Sequence, residues 1–172
     1  VSTTGKTSRE IFEIRKHNHQ KHEKDFLTVG SMGHCSSIAL GIAINAPHRK
    51  IICIDGDGSM LMHLGSLASI SELKPDNFYH IIINNGVHDS VGGQDTTAKN
   101  IKISKLAASL GFNKSFKAKT KKKLELNIRS FLSEKGPSML EIKTAPGSRA
   151  NLGRPSIHPI INKKDFIKFL KG

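Results

Sequence analysis

Apolar β-branched runs that each break into a turn of small polar residues limit this chain to very few folds. Ile51-Ile52-Cys53-Ile54 has the texture of a strand buried on both faces, and it runs straight into Asp55-Gly56-Asp57-Gly58. Tyr79-His80-Ile81-Ile82-Ile83 repeats the pattern and ends at Asn84-Asn85-Gly86. Phe26-Leu27-Thr28-Val29 reads as a shorter strand ending in Gly30, residues 114–118 as an edge strand, and residues 138–143, after Gly136-Pro137, as another strand. Helical patterns separate them: a small-residue helix at 34–46, helices at 60–73, 101–110 and 121–134, and a final one at 163–171. Such alternation predicts an α/β domain, doubly wound, with a mainly parallel sheet and helices on both faces. Residues 1–25 are expected to form a linker or entry segment whose 7–25 stretch is polar and helical, and residues 26–172 the domain proper.

Composition excludes other classes. With 172 residues and 37% hydrophobic content the chain suits one globular domain, and no apolar run approaches the ~18 residues of a membrane span. Cys35 and Cys53 are too few for a disulfide framework; buried thiols in a reducing, cytoplasmic setting are expected. Lys+Arg outnumber Asp+Glu by 27 to 14. The excess lies in lysines 114–123 and 163–171, which read as a solvated surface. A basic module that recruits nucleic acid is the reading from another class, but single-strand stacking needs aromatics, and this chain has eight Phe, one Tyr and no Trp. His17, His19 and His22 fall in a polar run with no completing ligand set and read as exposed. The chain opens on Val1 without Met, so a piece of a longer protein is expected.

In a parallel sheet, ligands bind beyond the carboxyl ends of the strands. Three loops leave such ends: 30–34, 55–59 and 84–95. In the second, Gly56 and Gly58 let the backbone approach a ligand closely, and the helix that begins near Ser59 offers free N–H groups to a phosphate. Asp57 beside a phosphate makes sense with a cation between them, which points to Mg²⁺. Taken alone, this Gly-Asp-Gly is equally an ordinary strand-to-helix turn. Asn85 closes the next strand, so it could offer a neutral oxygen to the same cation.

A strand, Gly56-Asp57-Gly58, a helix, a strand and Asn84-Asn85 together resemble the cofactor motif of the thiamine diphosphate-dependent decarboxylases. That resemblance implies thiamine diphosphate and Mg²⁺ as cofactors. It makes Asp57, Asn85 and the Val87 main-chain oxygen the metal ligands, and Gly56, Gly58 and Ser59 the diphosphate contacts. Gly30-Ser31-Met32-Gly33-His34 is similar to the loop that grips the aminopyrimidine ring, with the Gly30 carbonyl as acceptor and Met32 as the apolar wedge. A flexible thioether fills such a gap well.

Longer segments, among them 84–94, Leu61-Met62-His63-Leu64-Gly65 and Ala145-Pro146-Gly147-Ser148-Arg149, are similar to the branch acting on phosphonopyruvate and sulfopyruvate. The implied reaction releases CO₂ from a 2-oxo acid that carries a second anionic group. A pocket for two anions needs donors: His88 and His34 are candidates for catalysis, and Arg149 and Arg154 for the distal anion. His63, inside the expected helix, reads as packing. No Glu sits in the context of the family's proton-donating carboxyl. The resemblance therefore implies a pyrimidine-binding domain on the same or another subunit, a homo-oligomer, and inactivity of this part alone.

Overall fold

The computed structural model describes residues 1–172. Four strands, β1 (Ile51–Gly56), β2 (Phe78–Asn84), β3 (Lys114–Ala118) and β4 (Ser138–Lys143), form a sheet in the order β1-β2-β4-β3. Every pairing is parallel, as the buried β-branched runs require. The register sets Ile54 beside Ile81 and Ile81 beside Leu140. Successive residues of each strand alternate between two covered faces.

One face carries Ile51, Cys53, Phe78, Ile82 and Met139. It is packed by α2 (Cys35–Asn45), α3 (Asp57–Met62), α4 (Ser66–Leu73) and α5 (Ile103–Leu110). Ala39 and Ala43 let α2 lie close against the strands, and both are buried. The opposite face carries Tyr79, Ile81, Leu140 and Ile142 and is closed by α6 (Lys121–Ser133) through Leu124, Ile128 and Phe131. The Thr120 hydroxyl caps α6 by accepting from the Lys123 N–H at 3.2 Å. Helix α1 (Lys6–His17) and α7 (Pro159–Lys171) flank β1, with Ile11 and Phe166 near Ile52 around a second cavity of about 390 Å³.

Several boundaries depart from expectation. The leading residues join the fold: Thr3 N donates to Ile54 O and Ile54 N to Val1 O, both at 2.9 Å, while Ser2 N donates to Phe26 O at 3.0 Å. Residues 1–3 thus run beside β1 through a single bridge from Ser2 to Ile54, where a linker or entry segment is expected. Helix α1 stops at His17, because His19 takes a positive φ of 52° and Arg15 forks onto Asp25 at 2.8 and 3.0 Å, folding 18–25 back. Residues 26–29 make a single bridge, Leu27 to Ser2, in place of a strand. The expected helix at 60–73 is two helices broken at His63-Leu64-Gly65. Helix α7 starts at Pro159, whose fixed φ suits a first helical position. No helix is long and apolar enough to cross a membrane.

Candidate functional site

The carboxyl edge of β1 and β2 opens into a cleft of about 350 Å³. Its wall includes Met32, Gly56, Asp57, Gly58, Ser59, Asn85, Val87 and His88, so three loops distant in sequence meet there. Asp57 opens α3 and is 2% exposed, yet it forms no ion pair. One of its oxygens, Oδ2, accepts from the Thr96 hydroxyl at 2.5 Å. A buried carboxylate without a basic neighbour is costly unless a cation joins it. Asn85 is held in a tight turn: its Oδ1 accepts from Val87 N at 3.1 Å, and its Nδ2 donates to Asp89 Oδ2 at 2.7 Å. The Gly86 carbonyl is taken by Thr96 N at 2.8 Å, whereas the Val87 carbonyl accepts nothing. An all-oxygen set of carboxylate, amide and free carbonyl suits a hard divalent cation.

Gly58 cannot be another residue without disturbance. A Cβ there would stand 2.6 Å from His88 Nδ1. The half-buried His88 ring therefore rests on the backbone of the turn. Ser59 Oγ is already bonded, to Thr3 Oγ1 at 2.8 Å and from Gly33 N at 3.0 Å, so its side chain ties the leading segment and the 30–34 loop to α3. The bend of that loop is made by Gly30 at φ 70°, Ser31 at 48° and Gly33 at 94°. Gly30 N donates to Thr4 Oγ1 at 3.2 Å, and Met32, half-buried, reaches the cleft.

Other expected residues lie elsewhere. His34 is exposed, outside the cleft wall, with its ring 4.2 Å from that of His63. His63 is itself exposed at the C-cap of α3, which corrects the expectation that it packs inside a helix: the helix has already ended. Arg149 donates to Glu10 and Glu13 of α1 at 3.1 and 2.9 Å. Those carboxylates raise its pKa, with Glu10 the larger cause. Arg154 is exposed, and neither arginine lines the cleft. His17 and His19 are exposed, while His22 stacks on Phe12 at 4.3 Å and burial lowers its pKa. Beneath the cleft, Cys35 and Cys53 are buried free thiols with sulfurs 3.5 Å apart, and burial pushes the Cys53 thiol up.

The sequence assigns no role to Thr3, Thr4, Lys6, Asp89 or Thr96. Asp89 acts as a clasp: Oδ2 accepts from Asn85 and from Gly147 N at 2.9 Å, and Oδ1 lies 3.4 Å from Lys6 Nζ. The Gly147 N–H is the main reason its pKa falls below the ordinary carboxylate range. A Thr-Thr-Gly-Lys run before a helix was the available signal for the leading segment. Nothing local marks Thr96, which acts across 39 residues. Glu10 is the one glutamate on the cleft wall, and Arg149 holds it.

Residues 3–142 match the family described as thiamine pyrophosphate enzyme, C-terminal TPP binding domain. A phosphonopyruvate decarboxylase of Streptomyces hygroscopicus is 39% identical over 159 residues, which cover 92% of this chain and 38% of that protein. The sulfopyruvate decarboxylase subunit beta of Methanocaldococcus jannaschii is 34% identical over 172 residues, covering 99% of this chain and 87% of that one. A solved structure of a candidate thiamin diphosphate-dependent enzyme from Mycobacterium smegmatis superposes with a TM-score of 0.59 at 24% identity, over 69% of this chain and 23% of that one, which establishes a shared fold. The chain spans about two fifths of the length of the phosphonopyruvate decarboxylases it matches.

Proposed function

From a chain that belongs to the thiamine pyrophosphate enzymes, as their C-terminal cofactor-binding domain, we propose the following function: it forms the diphosphate- and Mg²⁺-holding part of a 2-oxo acid decarboxylase, with phosphonopyruvate as substrate. The observation that carries this is the buried, unpaired Asp57 facing a cleft shared with Asn85 and the free Val87 carbonyl. These three groups would hold the cation, and Gly58 and Ser59 would meet the diphosphate through their backbone. Met32 would support the cofactor's bent form from the opposite loop. When bound, thiamine diphosphate supplies the electron sink that lets a 2-oxo acid lose CO₂.

The remaining steps fall to this chain's own side chains. His88 rests on Gly58 at the cleft wall and would hold or move a proton near the reacting carbon. Arg149 and Arg154 stand on the loop that follows β4, outside the cleft wall, and are proposed for the substrate's second anionic group, which Arg149 would reach only by leaving Glu10 and Glu13. His34, outside the cleft wall, would take part only by moving inward. The proton-donating carboxyl of the family is proposed to come from a pyrimidine-binding domain on the same or another subunit, in a homo-oligomer.

A second reading, sulfopyruvate as substrate, is favoured by one specific observation: the chain covers 87% of a sulfopyruvate decarboxylase subunit beta, nearly that whole relative. Pairing the chain with a pyrimidine-binding partner and measuring CO₂ release from phosphonopyruvate, sulfopyruvate and pyruvate separates the two. The highest kcat/KM is expected on phosphonopyruvate, and the unpaired chain is expected to be silent. No CO₂ from any of the three in the reconstituted protein would overturn the proposal.

A further inference from the structure

We infer that Thr96 is a positioning residue that sets how Asp57 faces the cation, an inference that rests on the cofactor reading above. Thr96 is 4% exposed and grips both halves of the site at once. Its hydroxyl donates to Asp57 Oδ2 at 2.5 Å. The same oxygen accepts from Ala98 N at 3.4 Å, at the start of the 3-10 turn Thr97–Asn100. A hydroxyl that accepts from one side has its proton aimed to the other, here at the carboxylate. With Oδ2 held, Oδ1 is left for a ligand. The backbone of Thr96 works on the other loop: its N–H donates to the Gly86 carbonyl at 2.8 Å, and Gly86 stands between Asn85 and Val87, the two other proposed donors. Its Cγ2 lies 3.1 Å from the place a Cβ on Gly58 would take, so the methyl also abuts the Gly-Asp-Gly turn.

The 86–96 excursion is closed by a bridge from Val87 to Asp95 and by His88 N donating to Gln94 O at 2.7 Å. That closure delivers Thr96 to Asp57. Without its hydroxyl, Asp57 loses its only hydrogen-bond donor and must be ordered by the cation itself, which lowers affinity. A donor to a charged group is worth enough to change binding by about ten- to a hundred-fold.

The test is calorimetric titration of Mg²⁺ at fixed thiamine diphosphate, on the protein that carries this chain with its pyrimidine-binding partner. Thr96→Val should raise the apparent Mg²⁺ dissociation constant about ten- to a hundred-fold, while kcat at saturating Mg²⁺ recovers most of its value. Thr96→Ser, which keeps the hydroxyl, should stay within about three-fold of wild type. Should the valine variant fail to fold by circular dichroism, Thr96→Ala carries the same expectation. Wild-type affinity in the valine or alanine variant would overturn the inference, and so would a serine variant as impaired as valine, because a retained hydroxyl would then fail to retain the affinity. Absence of Mg²⁺-dependent binding by the wild type would instead overturn the cofactor reading itself.

Discussion

Asp57→Asn should separate the need for a cation from the need for a fold. Asp57 is 2% exposed, accepts one hydrogen bond from Thr96 and has no ion-pair partner. Asparagine keeps an acceptor for Thr96 and removes the buried charge. Replacing buried charge by a neutral group of similar volume is often neutral or stabilising. Without cofactor, the variant should therefore melt no lower than wild type. The cofactor response should behave differently. Thiamine diphosphate and Mg²⁺ at a hundred times the dissociation constant stabilise a binding-competent protein by about 2.7 kcal/mol. For a domain of this size each kcal/mol is worth roughly 2–4 °C, so the wild type should gain about 5–11 °C. Asp57→Asn should gain none, because the charge of the diphosphate has lost the cation that bridges it. Thermal melts with and without Mg²⁺ and cofactor read both quantities in one experiment. A fall of more than about 3 °C in the unliganded variant would show that the carboxylate serves the fold. A retained cofactor shift would remove Asp57 from the cation site.

Three further outcomes are expected. Gly58→Ala should push the His88 ring by roughly 1 Å, since the new Cβ would otherwise stand 2.6 Å from Nδ1; kcat should fall far more than the melting temperature, and equal losses would argue that the turn itself collapses. The Gly147 N–H, with Lys6 and Asn85, holds Asp89 below its ordinary range, so its contribution to stability is full above about pH 4 and is lost as the pH falls through the folded value. Asp89→Asn should accordingly flatten the acid limb of the urea midpoint against pH. Cys35 and Cys53, 1% and 0% exposed, should resist iodoacetamide in the native protein and both react in denaturant, as counted by mass spectrometry.

Four of the five expected strands, the parallel α/β class and the heart of the cleft were legible in the order of residues. Ile51–Gly56 and Phe78–Asn84 are so apolar that burial on both faces is their only stable setting, and the polar turns at their ends must then share one edge. Asp57, Asn85, Val87 and His88 follow those strands directly, which made them legible. What depended on long-range contact stayed hidden. Folding alone set Ser2 between Ile54 and Leu27, because the hydrogen bonds of residues 1–3 run to Ile54 and Phe26, far along the chain. Only it broke the helix at His63, where the ring leaves the helix to meet His34. It also turned Arg149 toward Glu10 and Glu13, since the charge of a guanidinium is plain from sequence while its partner is a matter of which helix lies nearby. Thr96 and Asp89 are the same case at the site itself. A hydroxyl and a carboxylate in a polar loop carry no periodic signal, and their roles exist only after folding sets Thr96 against Asp57 and Asp89 against Asn85 and Gly147.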